Sequence, residues 1–105
     1  MNKEIIYEAT LINDEKTYTA IEIIKTCHIT SSFLDELIAH GIAIESDVEA
    51  LDSYSFYTFS RVQTAARLAH ELELNASGAI LALELFDKIK MLENELEILK
   101  HHIKI

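Results

Sequence analysis

The side chains able to do chemistry are few and scattered. Five histidines are present, His28, His40, His70, His101 and His102, with one cysteine, Cys27. In "AHELEL" His70 stands beside Glu71, a pair common on exposed helix faces, and nothing nearby offers a nucleophile for it to activate. The terminal "HHIKI" places two histidines in succession, but neighbouring residues on a helix point about 100° apart and rarely close on one metal. It reads as a solvated tail. Cys27 has no internal disulfide partner, which agrees with a reducing compartment, and a small buried residue is favoured over a reactive thiol. There is no phosphate-binding glycine loop, nucleophile elbow, HExxH or CxxC. No catalytic, cofactor-binding or metal-ligating residue is assigned, and the chain is read as a non-enzyme.

What the composition offers instead is charge. The chain has 105 residues, half of them hydrophobic, enough for one compact domain with a core. Its net charge is −9. Residues 1–60 hold three lysines against eleven carboxylates, whereas residues 61–105 hold six bases against seven acids. A domain of this sign is repelled by nucleic acid, because phosphate neutralisation supplies most non-specific affinity. A basic protein surface is the natural partner. No apolar run approaches the roughly 20 residues that span a bilayer, and "MNKEIIYEAT" lacks the regions of a signal peptide, so a cytoplasmic protein without membrane contact is expected.

With no proline and only Gly41 and Gly78, the elements must be punctuated by caps and polar clusters. Lys3 to Ile12 alternates in part and reads as a strand or an extended arm. In "TYTAIEIIKTC", Thr19 and Glu22 have capping-box spacing and Tyr18 with Ile23 that of a hydrophobic staple, predicting a helix from about Ala20 to Cys27. A second helix follows from about Ser31 to His40, stopped by Gly41 with Ile42 folding back. Two short helices joined by three or four residues have helix-turn-helix spacing. In the second, Phe33, Leu34, Leu37 and Ile38 share the core side, and Ser32, Asp35, Glu36 and Ala39 face out. From Ala43 to Phe59, "IAIE" and "SFYTF" read as two strands of a wing-like hairpin, with Tyr54, Phe56, Tyr57 and Phe59 packing in the hairpin and core. Without interleaved bases these aromatics do not suggest base stacking. Ser60 with Gln63 reads as another capping box, opening a helix to about Glu73 that buries Val62, Ala65, Ala66, Leu68, Ala69 and Leu72. Asn75 is the expected N-cap of the last helix, about Ala76 to Ile103.

That last helix carries a seam. Leu85, Ile89, Leu92, Leu96, Leu99 and Ile103 recur at 4, 3, 4, 3, 4, with leucines 85, 92 and 99 at d and Ile89, Leu96 and Ile103 at a. Little chain remains to cover such a stripe, so a homodimer is expected, the alternative being packing on its own domain. In a parallel pair Lys88 meets Glu93 and Glu95 meets Lys100 across the interface, but other registers also match charges and leave the orientation open.

Taken together, "YTAIEIIKTCHITSSFLDELIAHGI", "SYSFYTF", "RVQTAARLAHELELN" and the heptad helix resemble the MerR-like winged helix-turn-helix family over nearly the whole chain. The resemblance implies a mainly α fold with a short β-hairpin wing over residues 1–75 and a C-terminal coiled-coil dimerisation helix over 76–105, the whole forming one compact unit. In that family basic residues of the second helix and wing contact DNA. Here the arginine usual in the second helix falls on Asp35, and the wing's glycine-tyrosine-arginine falls on Ser53, Tyr54 and Ser55. Residues Arg67 to Leu99, "RLAHELELNASGAILALELFDKIKMLENELEIL", are similar to the narrower chaperone modulator CbpM family. That likeness implies a protein that binds the J-domain of a CbpA-like Hsp40 co-chaperone and inhibits its co-chaperone and DNA-binding activities. Asp35, Glu36, Arg67, His70 and Glu71 are the candidate partner-binding residues. A MerR-like DNA-binding transcriptional regulator is the alternative, opposed by the scarcity of bases between residues 26 and 60; a coiled-coil adaptor is a third reading.

Overall fold

A computed structural model describes residues 16–49 and 52–103; the strand or arm expected over Lys3 to Ile12 lies outside them. Among the described residues five helices follow one another: α1 (Ala20–Cys27), α2 (Ser31–Ala39), α3 (Glu45–Glu49), α4 (Phe56–Leu72) and α5 (Ala76–Ile103). The capping residues set their limits. The Thr19 hydroxyl accepts the Glu22 amide at 3.2 Å while the Glu22 carboxylate accepts the Thr19 amide at 2.9 Å, so two of the orphan donors of α1 are satisfied reciprocally. Gly41, at φ +89°, ends α2 in a Schellman arrangement: the Ile42 amide reaches the Leu37 carbonyl at 3.1 Å and the Gly41 amide that of Ile38 at 3.0 Å. The Asn75 side chain accepts the Gly78 amide at 2.8 Å and opens α5. A Cβ on Gly78 would meet Leu74 and Asn75 at 3.2–3.3 Å, so the glycine allows a close approach there.

α4 packs against α1 and α5, and α2 against α1 and α5. Ile23 and Cys27 from α1, Leu34 and Leu37 from α2, Val62, Ala65, Ala66, Leu68 and Ala69 from α4, and Ala76, Ala79 and Leu83 from α5 form the core. Alanines on both α4 and α5 leave little side-chain bulk between the two, which favours a short interaxial distance. Burial pushes the Cys27 thiol above its ordinary range. The thiolate is the reactive form. Native protein at pH 8 should therefore be alkylated by iodoacetamide about tenfold or more slowly than urea-unfolded protein, a difference read by mass spectrometry; equal rates would place the thiol at the surface.

Four expectations are corrected between Ala43 and Leu72. The hairpin wing is absent among the described residues: Glu45 begins α3, and "SFYTF" enters α4, whose N-cap is Ser55 rather than Ser60. The buried Asp47 carboxylate decides this. It accepts the Ser55 amide and hydroxyl, both at 3.0 Å, and the Thr58 hydroxyl, so Ser55 is committed to a helix start instead of a strand ladder. The Ser55 hydroxyl in turn accepts the Thr58 amide at 3.2 Å. Phe56 and Phe59, three apart, then lie on one helical side. Tyr18 stacks on Phe59 at 4.6 Å between ring centres and is 6.4 Å from Phe56. The strand pairing that survives here is an isolated antiparallel bridge between Tyr18 and Tyr54. Tyr57, expected to pack, is 51 % exposed. Leu72, expected in the core, is 57 % exposed, because α4 ends there and the left-handed Glu73 (φ 55°) reverses the chain, sending Leu74 onto the core instead.

Candidate protein-binding site

α2 is held by its core side, which fixes where its outward residues point. With Leu34 and Leu37 buried and Phe33 and Ile38 half-buried, successive residues turn by about 100°, so Asp35 falls on the flank beside Ile38 and Glu36 on the flank beside Phe33. Both are exposed, but they serve different surroundings. Asp35 looks toward Tyr54: burial lifts the Tyr54 phenol above its ordinary value, and the negative charges of Asp52, Asp35 and Asp47 lift it further.

Asp52 was invisible as a site residue from the sequence. It takes a left-handed backbone (φ 52°), and its carboxylate accepts the Ala20 amide at 2.8 Å, where the N-terminal dipole of α1 favours an anion. Thirty-two residues separate the partners, so no local signal could have found the contact. Asp52 and Asp35 make the surface where a wing and reading helix would meet DNA an anionic one, with Asp47 buried beneath it.

On the other flank of α2 the α1–α2 turn and α4 enclose a socket of about 230 Å³. His28, Ile29, Thr30 and Phe33 line one wall, and Ala66, Ala69, His70 and Leu74 the other. His28 ends α1 in a left-handed conformation, φ 57°, with its amide on the Ile24 carbonyl. Thr30 caps α2 through the Phe33 amide at 3.0 Å. Of the five residues singled out from the sequence, His70 lines the socket, Glu36 lies on the same flank of α2 as the socket's Phe33, and Asp35 stands apart on the tyrosine side. Arg67 and Glu71 pair across one turn of α4 at 3.9 Å, both about 60 % exposed. A pair this open contributes at most about 1 kcal/mol.

A second and larger groove of about 440 Å³ runs between α4 and α5, walled by Arg61, Arg67 and Lys90 over Leu83, Phe86 and Ile89. Arg61 is fixed there, bonded to Asp87 at 3.1 Å and lying over the Tyr57 ring at 5.7 Å. Beyond this groove α5 leaves the core. Leu85, Ile89, Leu92, Leu96 and Leu99 are 49–59 % exposed and Ile103 is 80 % exposed, so among the described residues the seam is left largely uncovered. Among the described residues no helix is long and apolar enough to cross a membrane, and no three His, Cys, Asp or Glu side chains converge as a metal site would require.

Comparison with known proteins gives this frame a family. The family model described as MerR HTH family regulatory protein matches residues 18–101. Chaperone modulatory protein CbpM of Coxiella burnetii, in the Dugway strain and in the Henzerling II strain, is 29% identical over 102 residues, covering 95% of this chain and 94% of the relative. No solved structure matches the chain.

Proposed function

The chain belongs to the family of MerR helix-turn-helix regulatory proteins, and from that premise we propose that it is a non-catalytic chaperone modulator, which binds the J-domain of a CbpA-like Hsp40 co-chaperone and inhibits its co-chaperone and DNA-binding activities. The observation that carries the proposal is the sign of the helix-turn-helix surface. The frame is complete, with both helices, their caps and the Gly41 stop in place. Yet its outward side chains are Asp35 and Glu36, with Asp52 beside Tyr54, where a duplex reader needs cations. The similarity to a chaperone modulatory protein along almost the whole chain agrees with this reading. Surface carboxylates of this kind raise the encounter rate with a basic partner and make binding sensitive to salt. The working form is a homodimer joined through Leu85, Ile89, Leu92, Leu96, Leu99 and Ile103.

The test is the affinity for an isolated J-domain of a CbpA-like protein at low and moderate salt, beside that for mixed-sequence duplex DNA. Micromolar or tighter J-domain binding that weakens with salt, and no duplex binding, is the expected result. Reversing both Asp35 and Glu36 to lysine should weaken J-domain binding about tenfold, mostly through slower association, and flatten its salt dependence. Tight duplex binding without J-domain binding would favour the second reading, a MerR-like DNA-binding regulator, which the family match supports and for which Arg61 and Arg67 are the available phosphate contacts.

A further inference from the structure

We propose that the socket between the α1–α2 turn and α4 receives one apolar side chain projecting from a basic helix of the partner. The inference rests on the proposed binding of a basic domain and names the place where that domain is anchored. The floor of the socket is apolar: Ile29, Phe33, Ala69 and Leu74 supply it, and the imidazoles of His28 and His70 stand at its edge. At about 230 Å³ it is of a size for one branched or aromatic residue rather than for a helix.

Its surroundings select the partner's charge. Glu36 lies on the α2 flank beside Phe33, Glu71 follows His70 on α4, and Glu73 precedes Leu74 at the left-handed reversal. All three are exposed; Glu71 and Arg67 pair with each other, so the excess charge of the rim comes from Glu36 and Glu73. An apolar hole with a carboxylate border suits an apolar anchor flanked by lysines or arginines, the arrangement in which a desolvated centre holds the complex and rim charges steer it. The α4–α5 groove is larger, but its lining holds three cations, Arg61, Arg67 and Lys90, against the one carboxylate of Asp87, so a basic helix is not seated there. The socket also opens on the same side of α2 as Glu36, which joins the anchor to part of the acidic helix face.

The experiment measures association and dissociation rates of the full-length chain with the J-domain of a CbpA-like protein. Ala69→Phe fills the socket from its floor, and His70→Phe covers it from the exposed edge, so the second variant gives the reading if the first does not fold. Either should raise the dissociation rate about tenfold or more while leaving the association rate and the salt slope near those of the wild type. In the wild-type complex, amide shift changes should centre on Ile29, Phe33 and Leu74. If the wild-type chain does not bind the J-domain, the proposed function itself fails. If it binds, but folded socket variants dissociate at the wild-type rate and the shift changes centre on the Arg61 and Lys90 groove, the anchor assignment is overturned while the function stands.

Discussion

Replacing Leu92 and Leu96 together by glutamine will leave the chain monomeric. Both lie in the stretch of α5 beyond the core, 59 % and 54 % exposed, in a line with Leu85, Ile89, Leu99 and Ile103. A stripe at heptad spacing on one helix is buried by a second helix, and none of the other described helices covers it. Burying a leucine fully is worth about 1.5–3 kcal/mol. These side chains are already half-covered by their own helix, so each contributes roughly half of that on association. Two per chain, four in a pair, then amount to about 3–6 kcal/mol, or on the order of a hundred- to ten-thousand-fold in the dissociation constant. Sedimentation at micromolar concentration should show the wild type at twice 11.9 kDa and the variant at that mass. Helix content should fall as well, since the part of α5 released from a partner has few tertiary contacts and short isolated helices fray. A variant that remains dimeric would move the interface off the seam, with the basic α4–α5 groove the next surface to examine.

The second large effect is expected at Asp47, a residue with no direct part in binding. Its carboxylate, 6 % exposed, holds the Ser55 amide, the Ser55 hydroxyl and the Thr58 hydroxyl, and Thr58 is itself buried. Asp47→Ala removes all three acceptor contacts at once and leaves buried donors unpaired, at about 1–3 kcal/mol for each group stranded. A loss near 3 kcal/mol is a large share of the roughly 5–15 kcal/mol that a domain of this size has. Asp47→Asn keeps one carbonyl acceptor and should lose about half as much. Urea denaturation followed by far-ultraviolet circular dichroism reads both. A loss below about 1 kcal/mol for the alanine variant would mean that the start of α4 is held by the aromatic stack of Tyr18 on Phe59 rather than by the carboxylate. Because the same segment carries Tyr54 and Asp52, loosening it should also weaken partner binding through the Asp35 surface.

The binding and stability experiments bear on different levels of the molecule. Seam variants test assembly, Asp35 and Glu36 reversals test steering, the socket variants test anchoring, and Asp47 tests the scaffold beneath them. Their effects should be close to additive where the sites share no contacts, as for the seam and Asp35.

How much of this was legible in the sequence follows from the range of the forces involved. The capping box at Thr19 and Glu22, the Gly41 stop and the Asn75 cap were readable because each is made within three to five residues, and the structure has them where the spacing puts them. The seam was readable because a 3.5-residue repeat is a property of one helix; that it stays largely uncovered among the described residues is a tertiary fact. The acidic sign of α2 was likewise written in its residues. The error at "SYSFYTF" has the same cause turned around. Its aromatics alternate as a strand does and also fall three apart as a helix does, and nothing within the segment chooses. Asp47, eight residues before Ser55 and eleven before Thr58, chooses by capping the helix. So does the site divide. Asp35 and Glu36 are adjacent in the chain, but core packing of Leu34 and Leu37 puts one on the Tyr54 side and the other on the flank of a socket whose walls, His28 and His70, come from the end of α1 and the end of α4. The sequence by itself determined helices, caps, seam and charge, all local quantities; only the tertiary structure decided which carboxylates are buried as scaffold and which remain free to meet a partner.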